Sequence, residues 1–470
     1  MSSVEAGSRE QRGLPPTSRR GRGAAAGADA LLSGWGRSAP TRARVLRPAG
    51  AEQLAELLRT APSGGAIPRG AGRSYGDPAQ NEGGAVFDMT AMSWVGAIDA
   101  GRREVRVGAG TSFAALLEAL AGHGLTLAVV PGTRHLTVGG AIAADVHGKN
   151  HPVAGSLATQ LRAFELITPG GDAREVTRES DAELFAATTG GMGLTGAITA
   201  ATLKAVPLHE PFAIADIDRA ESIEDAMALM VEGGHTHSIA WLDLLASGGR
   251  FARAVVTRSR EGEAPVAAGS LGIAANPTLR VPPGSPGGLL RGVAVRTFNA
   301  ALWHHSPHHE RERAIGPAEQ LFPLDRVGDW NRLYGRRGLL QYQFAVPRGE
   351  EWVIRCTLEM LRARRVPMFL AALKRFGAPS GGLLSFPIEG WTLAVDIPAR
   401  ARGVRDVLDA ADRLIVGAGG RVYLAKDARM GAGMLRETYP QLDRFRAVRE
   451  RVDPSGMLRS DMARRLGLSE

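Results

Sequence analysis

The sequence has a single cysteine, Cys356, few aromatic residues and no long uncharged apolar run. One cysteine excludes an internal disulfide framework. No uncharged apolar run reaches the roughly 18 residues that a membrane-spanning helix needs. The N-terminus has arginines and small residues but no apolar stretch after them, so we expect no Sec-type signal peptide.

Acidic residues are too few to balance the basic ones, and the chain carries a net charge of +9 with a pI of about 10.3. Such a balance is typical of proteins that bind nucleic acid, anionic lipid or phosphorylated substrates. The arginines are dispersed and aromatic residues make up only 5% of the chain, so no strip exists for stacking single-stranded bases. We therefore expect no specific nucleic-acid binding and favour a phosphate-bearing or membrane-surface partner.

The length of 470 residues is sufficient for two domains, and the composition is that of a soluble globular protein. Residues 1–30 are small or basic, which predicts a disordered tail. Residues 31–207 mix short strands and helices with glycine-rich turns. Residues 208–425 have longer strand-like runs with helices between them, and a Pro/Gly-rich insertion at 269–290 predicts a mobile loop. Residues 426–470 end the chain, and the whole pattern predicts a two-domain α+β protein.

Local patterns indicate individual elements. Leucines at helical spacing predict a helix over 51–60. Ser180 and Glu183 have the spacing of a capping box and predict the start of another helix. The runs "LLQYQFAVP" and "WTLAVDIP" read as strands of the second domain.

The stretch "PRGAGRSYGD", which begins at Pro68, has three glycines and two arginines and little that could build a core. Its glycines permit positive φ and a close approach of the backbone to a ligand. Exposed N–H groups in such a loop can bind an anion, which suggests a loop wrapped around a diphosphate. Taken alone, the stretch could equally be a tight surface loop.

Two further glycine-rich stretches favour the ligand-binding interpretation. Residues 129–156 combine glycines and small apolar residues with the polar cluster "HGKNH", so that a flat ligand could lie against the main chain. The third stretch, "TTGGMGLTGAIT", contains a formal G-x-G-x-x-G from Gly191 to Gly196. Its flanks read helix then strand, which is the reverse of the Rossmann order, so we expect no Rossmann site. Three such loops suit a dinucleotide held outside a Rossmann fold.

With its motifs "PRGAGRSYGD", "PGTRHLTVGGAIAADVHGKNH" and "GGMGLTGAIT", the chain resembles the PCMH-type FAD-binding domain of vanillyl-alcohol-oxidase-type flavoenzymes. Over about residues 34–466, "HGKNH", "FPLDRVGDWNRLYG", "QYQF", "LKRFG", "LSFPIEGWTLAVD" and "YLAKDARM" narrow the resemblance to the decaprenylphosphoryl-β-D-ribose 2-oxidase family. The resemblance implies an FAD-binding domain at 31–207, a substrate domain at 208–425 with an antiparallel sheet flanked by helices, and a segment 426–470 that packs back on the FAD domain.

The resemblance also implies the chemistry. FAD would take a hydride from C2′ of the ribose of a polyprenylphosphoryl ribose and leave the 2′-keto sugar, the first half of an epimerisation to the arabinose precursor of cell-wall arabinan in actinobacteria. A separate short-chain keto-reductase would complete the epimerisation, and a quinone or O2 would reoxidise the flavin. We expect a protein that is cytoplasmic or peripheral at the membrane surface, with the periplasmic face left open.

The resemblance assigns site residues by position. The cofactor-binding set is Pro68, Arg69, Gly70, Ala71, Gly72, Arg73, Ser74, Tyr75, Gly76, Asp77, Gly132, Thr137, Val138, Gly139, Gly140, Ala144, His147, Ile198 and Tyr423. The substrate-binding set is Tyr75, Lys149, Gln341, Gln343, Lys374, Phe376 and Lys426, and the catalytic set is Lys426, His147 and Lys149. Many sugar oxidases of this superfamily have a flavin-linked histidine where this chain has Arg73, so the FAD is expected to be non-covalent. Some mycobacterial members have Asn and Cys where this chain has Thr392 and Ala394.

Simpler interpretations stand beside these assignments. A lone lysine is more often a solvated surface charge, and the two glutamines of "QYQF" could face solvent with Tyr342 in the core. His147 could relay a proton or pack on the flavin. The histidine-rich stretch 303–311 is interrupted by Pro307 and lacks a clear ligand set, so we expect no metal site and favour a mobile or membrane-facing segment. Alternative functions are a sugar, alditol or aldonolactone oxidase of the same fold, or a binding protein that has lost its flavin.

Overall fold

The computed structural model describes residues 27–210, 212–246, 248, 251–265, 269, 271–272, 279–284 and 292–469. Most of the predicted tail and most of the predicted mobile loop therefore lie outside the described residues. The first strand begins at Ala28, inside the predicted tail. In the described part of the chain, no helix is long and apolar enough to cross a membrane.

Two sheets form the first half of the protein. Their strands, with one short ribbon, are β1 (Ala28–Leu32), β2 (Thr41–Leu46), β3 (Ala66–Arg69), β4 (Ala85–Asp88), β5 (Val95–Asp99), β6 (Glu104–Gly108), β7 (Leu125–Thr126), β8 (Leu161–Ile167), β9 (Ala173–Thr177), β10 (Ala197–Lys204) and β11 (Val206–Pro207). The first sheet has the order β1-β2-β4-β3, with parallel pairing of β4 to β2 and β3. The second is antiparallel, in the order β5-β6-β10-β8-β9.

Five helices accompany these sheets: α1 (Ala51–Arg59), α2 (Phe113–Ala121), α3 (Val138–Ala143), α4 (His151–Ala154) and α5 (Ala182–Thr188). The predicted helix over 51–60 is confirmed, and its Leu54 and Leu58 are buried at helical spacing. The capping-box prediction was wrong by one residue. Asp181 caps α5 by accepting a hydrogen bond from the Leu184 amide, because Ser180 instead accepts one from the Thr177 amide.

An eight-stranded antiparallel sheet dominates the second half. The strands there are β12 (His209–Glu210), β13 (Ala213–Ala220), β14 (His237–Asp243), β15 (Arg253–Glu261), β16 (Ala264–Pro265), β17 (Leu279–Arg280), β18 (His309–Ile315), β19 (Val327–Gly328), β20 (Leu339–Pro347), β21 (Ala371–Phe376), β22 (Gly390–Pro398) and β23 (Arg421–Val422). The large sheet has the order β18-β13-β15-β14-β21-β22-β20-β23. The predicted α+β fold with an antiparallel second sheet is confirmed.

The remaining helices are α6 (Ile223–Val231), α7 (Gly292–His305), α8 (Pro317–Leu321), α9 (Trp352–Ala363), α10 (Val404–Gly417), α11 (Ala432–Thr438), α12 (Leu442–Val452) and α13 (Asp461–Arg465). Helices α9 and α10 pack together, and α10 also contacts β20. The side chains of β22 are nearly all buried, so this strand is covered on both faces. The chain then returns to the first sheet, where Ala66 exchanges backbone hydrogen bonds of 2.9 Å with Met457 and Arg459.

Candidate active site

A cavity of about 790 Å³ lies between the loops of the first half and one face of the eight-stranded sheet. Its walls come from the loop after β3, from the segment 131–149 around α3, and from β20, β21 and β22. Residues 321–330 and the 423–426 turn add further lining. The cavity has the size that a cofactor with a substrate beside it requires.

The two ends of the loop after β3 are joined by Arg69, the last residue of that strand. Arg69 donates hydrogen bonds to the carbonyl oxygens of Ala79 at 2.9 Å and Ser33 at 2.7 Å, which ties the two ends of the loop together. A Cβ on Gly70 would lie 2.0 Å from Thr137 Oγ1, and Gly72 has a φ of +63°. Glycine is therefore required at both positions: at Gly70 because the loop runs against the start of α3, and at Gly72 because its φ is positive.

The second glycine-rich segment presents main chain to the same cavity. Thr137 caps α3 by accepting a hydrogen bond of 3.3 Å from the Gly140 amide. Gly132 lines the cavity, and a Cβ there would meet no described atom within 4 Å. A side chain at Gly132 would thus project into space that a ligand can use, which fits a bound dinucleotide.

Aromatic side chains build one wall around Arg73. The Arg73 guanidinium lies 4.1 Å from the ring centroid of Trp35, and burial lowers its pKa. Trp330 lies edge-on to Trp35, with ring centroids 6.1 Å apart, and also contacts Tyr75. The Arg73 guanidinium is therefore held by stacking on Trp35.

Three lysines converge on the cavity. Burial lowers the pKa of Lys149 to about 7, that of Lys374 to about 8 and that of Lys426 to about 7. The charge of Lys374 depresses the pKa of the other two further, while Asp396 acts on Lys426 in the opposite direction. Lys149 also donates a hydrogen bond to the Gln320 carbonyl of α8. An anionic ligand group placed among these amines would favour their charged forms.

The sequence contains a signal for these lysines that motif matching does not use. Of 57 basic residues only four are lysine, and three of them line the cavity. The fourth, Lys204, is exposed at the end of β10. Arginine cannot lose its charge in a protein, whereas lysine can, so lysine is the required choice where a neutral amine is needed.

The sheet face that borders the cavity is set by strand register. Gln341 on β20 lies opposite Asp396 on β22, and Gln343 lies opposite Ala394. Gln343 contacts His147 Nε2 at 3.2 Å and Thr392 Oγ1 at 3.3 Å. Both glutamines line the cavity, so the solvent-facing alternative is wrong. Tyr342 points to the other face, where its hydroxyl donates to Asp412 at 2.7 Å.

Asp396 was missed by the sequence analysis. This carboxyl is 1% exposed, and its Oδ1 accepts a hydrogen bond of 2.7 Å from Gln341. Burial raises its pKa to about 7. The available signal was a lone acidic residue in the apolar run "LAVDIP", at strand spacing from Thr392 and Ala394.

His147 is buried in an aromatic cluster. Its ring centroid lies 4.7 Å from that of Phe376 and 5.4 Å from that of Tyr423, whose hydroxyl donates to the Ala144 carbonyl at 2.8 Å. Burial holds the pKa of His147 well below its usual value, and the charge of Lys374 adds to this effect. The imidazole is therefore neutral at physiological pH.

Most of the predicted site residues line this one cavity, but four do not: Gly76, Asp77, Val138 and Phe376. Phe376 packs behind His147, and Val138 is buried in the core. A Cβ on Gly76 would lie 1.7 Å from the Asp427 carbonyl oxygen. Asp77 pairs with Arg465 at 2.7 Å, and Arg465 also pairs with Asp427 at 2.7 Å. These four residues therefore pack behind the cavity wall, and their part in binding stays a prediction.

The histidine-rich stretch is ordinary secondary structure. α7 ends at His305, Pro307 lies in the turn, and β18 begins at His309, which contacts Asp218 at 2.6 Å. The stretch is thus ordered as a helix and an edge strand, and its contact with a membrane stays a prediction. Within the described residues, no three His, Cys, Asp or Glu side chains cluster as metal ligands would.

Sequence comparisons identify known proteins that are similar to this chain. Residues 42–177 match the FAD binding domain family, and residues 399–466 match the D-arabinono-1,4-lactone oxidase family. The chain is 39% identical over 449 residues to the decaprenylphosphoryl-β-D-ribose oxidase of Mycolicibacterium smegmatis. This alignment covers 93% of this chain and 97% of that protein. It is 25% identical to the L-gulono-1,4-lactone dehydrogenase of Mycobacterium tuberculosis, over 93% of this chain and 99% of the relative. A Streptomyces alditol oxidase is 32% identical over 36% of this chain and 40% of its own length.

Proposed function

The chain belongs to the decaprenylphosphoryl-β-D-ribose oxidase family of FAD-dependent oxidoreductases, and from this premise we propose that it oxidises the ribose 2′-hydroxyl of a polyprenylphosphoryl-β-D-ribose. The observation that carries the proposal is the extent of the similarity, which covers both the FAD domain and the substrate domain. The cavity supports it, because cofactor loops and a lysine-lined sheet face meet there.

The residues that would hold FAD fit that group. The diphosphate and flavin portions would be bound by the loop Pro68–Tyr75 and by Gly132, Thr137, Gly139, Gly140, Ala144, Ile198 and Tyr423. The open space at Gly132 and the main-chain character of these walls support this assignment. Arg73 cannot form the histidine link found in related sugar oxidases, so the cofactor is non-covalent. Bound FAD supplies the two-electron acceptor for the hydride from C2′.

The sheet face would bind the substrate. Lys149 and Lys374 hold the phosphate, since an anion relieves the repulsion between their charges. Gln341 and Gln343 hydrogen-bond sugar hydroxyls and orient C2′. Lys426, with a pKa of about 7, is the base that receives the hydroxyl proton. The neutral His147 packs beside this site and is held by Gln343.

The product would be a 2′-keto sugar that remains linked to its lipid. A separate short-chain keto-reductase would reduce it to the arabinose epimer for arabinan synthesis. A quinone or O2 would accept the electrons from the reduced flavin. We place the protein peripherally at the membrane surface, with the cytoplasmic side favoured and the periplasmic face open.

Visible spectroscopy tests the proposal. The purified protein is expected to be yellow, and anaerobic addition of farnesylphosphoryl-β-D-ribofuranose should bleach the flavin band. The matched control is farnesyl phosphate, which has the tail and the phosphate but no ribose and should leave the band unchanged. Flavin that the ribose lipid does not reduce would refute the assigned substrate. Protein that neither contains nor takes up FAD would refute the enzyme.

A second candidate is oxidation of an aldonolactone. The match of residues 399–466 to a lactone oxidase family and the full-length similarity to a lactone dehydrogenase favour it. Anaerobic reduction by L-gulono-1,4-lactone, compared with reduction by the ribose lipid at equal concentration, separates the two functions.

A further inference from the structure

Asp396 is a buried carboxylate in the cavity wall, and the function proposed above assigns it no role. Its Oδ1 accepts the hydrogen bond from Gln341, while its Oδ2 has no hydrogen-bond partner among the described residues. Burying a charged group without full hydrogen bonding is costly. A neutral or apolar residue would be cheaper for folding alone, which points to a role in the site.

The neighbours of Asp396 form a connected group. Gln341 Nε2 donates a hydrogen bond of 2.7 Å to the Asp396 carboxylate, and the Gln341 side chain also lies close to the Tyr75 hydroxyl. Lys426 Nζ lies 3.8 Å from the centroid of the Tyr75 ring, so the lysine that faces the substrate lies directly on this group. The Gln341 amide is thus held by Asp396, and the Asp396 carboxylate is near enough to act on Lys426 electrostatically.

We propose that Asp396 is a positioning residue for the oxidation: it fixes the amide of Gln341 and supplies the negative charge that draws the hydroxyl proton onto Lys426. The inference rests on the proposed function for the identity of the hydroxyl, for Lys426 as the base and for FAD as the hydride acceptor. In the step, the C2′–H bond would break, and bound FAD would accept the hydrogen with its electron pair. The O–H bond breaks, its proton binds the neutral Lys426 amine, and the C=O bond forms. The new ammonium then lies beside the Asp396 carboxylate.

The charged and titratable groups around Lys426 determine in which direction its pKa changes when Asp396 is removed. Asp396 raises the pKa of Lys426, because a nearby negative charge favours the ammonium. Lys374 lowers it by repulsion. The pKa of Tyr75 is well above its usual value through burial, and that of His147 is well below, so both are neutral in the working range. Removing Asp396 should therefore make Lys426 a weaker base.

The test is the pH dependence of the limiting rate of flavin reduction, measured by anaerobic stopped flow on the FAD-loaded protein with saturating sugar. In the wild type, the rate should rise with pH as Asp396 and Lys426, which both have a pKa of about 7 and titrate as a coupled pair, lose their protons. In Asp396→Asn, we expect this rise to move to lower pH by about one unit and the plateau to fall about tenfold. Lys374→Met should move the rise to higher pH, and Asp396→Glu should restore the wild-type position.

Asp412→Asn is the matched control, because Asp412 is a buried carboxylate against the opposite face of the same sheet. Its loss should leave the position of the pH rise unchanged. A rise that does not move in Asp396→Asn, or that disappears, would overturn the inference. Each variant is measured with both the ribose lipid and the lactone. If only the lactone reduces the wild-type flavin, the proposed substrate is refuted, and the shift of the pH rise measured with the lactone still decides the role of Asp396. If neither compound reduces the wild-type flavin, both the proposed function and this inference are overturned.

Discussion

Replacing Lys374 with methionine should stabilise the fold at neutral pH and weaken substrate binding at the same time. Methionine keeps the unbranched stem and removes the amine. Burial lowers the pKa of Lys374 from an ordinary value of 10.5 to about 8, which means that the folded protein disfavours the ammonium. The charge is retained for the ligand and opposes folding when no ligand is present.

The size of the effect follows from the two pKa values. Below about pH 8 the folded chain must protonate a lysine that it disfavours, and the cost is about 3 kcal/mol at pH 7. As pH rises from 8 towards 10.5, the unfolded chain still binds a proton that the folded chain has lost, so the cost fades to under about 1 kcal/mol at pH 10. Because the cavity admits water, we expect a gain of roughly 1–3 kcal/mol from Lys374→Met at pH 7.

Urea denaturation of the flavin-loaded protein without substrate, at pH 7 and at pH 10, measures this gain. Lys204→Met is the control, since Lys204 is an exposed lysine on β10 and should show no gain at either pH. The dissociation constant of farnesyl phosphate should rise in Lys374→Met and stay unchanged in Lys204→Met. Equal stability of wild type and Lys374→Met at pH 7, or a gain that does not shrink at pH 10, would refute the reasoning.

Three further predictions concern the cofactor. Arg465→Met leaves Asp77 and Asp427 without their shared partner, so the free energy of unfolding measured by urea denaturation should fall by roughly 2–4 kcal/mol. The flavin content of the purified protein should also fall. Gly132→Val fills the open space in the cavity wall, so it should raise the dissociation constant of FAD at least about tenfold with little change in melting temperature. The control is Gly431→Ala, which also faces open space but does not line the cavity and should change neither quantity. Acid precipitation should release all of the flavin into the supernatant, and flavin that stays with the pellet would contradict non-covalent binding.

Local sequence patterns predicted much of the fold. The apolar spacing of α1 and the reversed order around the Gly191–Gly196 match could be read directly, and the structure places that match between helix α5 and strand β10. The glycine loops also carried a physical signal, because positions such as Gly72 require a backbone that other residues rarely adopt.

What local patterns could not provide is pairing between distant segments. Gln341 and Asp396 are 55 positions apart and meet only because β20 and β22 pair in one register. The order of eight strands depends on such pairings, and no local pattern fixes them. Support positions were likewise invisible: Asp77 belongs to a loop motif, yet its side chain turns away from the cavity towards Arg465 of the last helix.

The scarcity of lysine has a consequence for chemical labelling. A neutral amine is a nucleophile, whereas an ammonium or guanidinium ion is not. The cavity lysines have pKa values near neutrality, while the arginine that supplies nearly all of the remaining positive charge does not react with acylating reagents or aldehydes under the same conditions. A small anionic aldehyde at neutral pH therefore modifies the cavity lysines before the exposed Lys204, and the labelled lysine peptides identify the residues that line the reaction cavity.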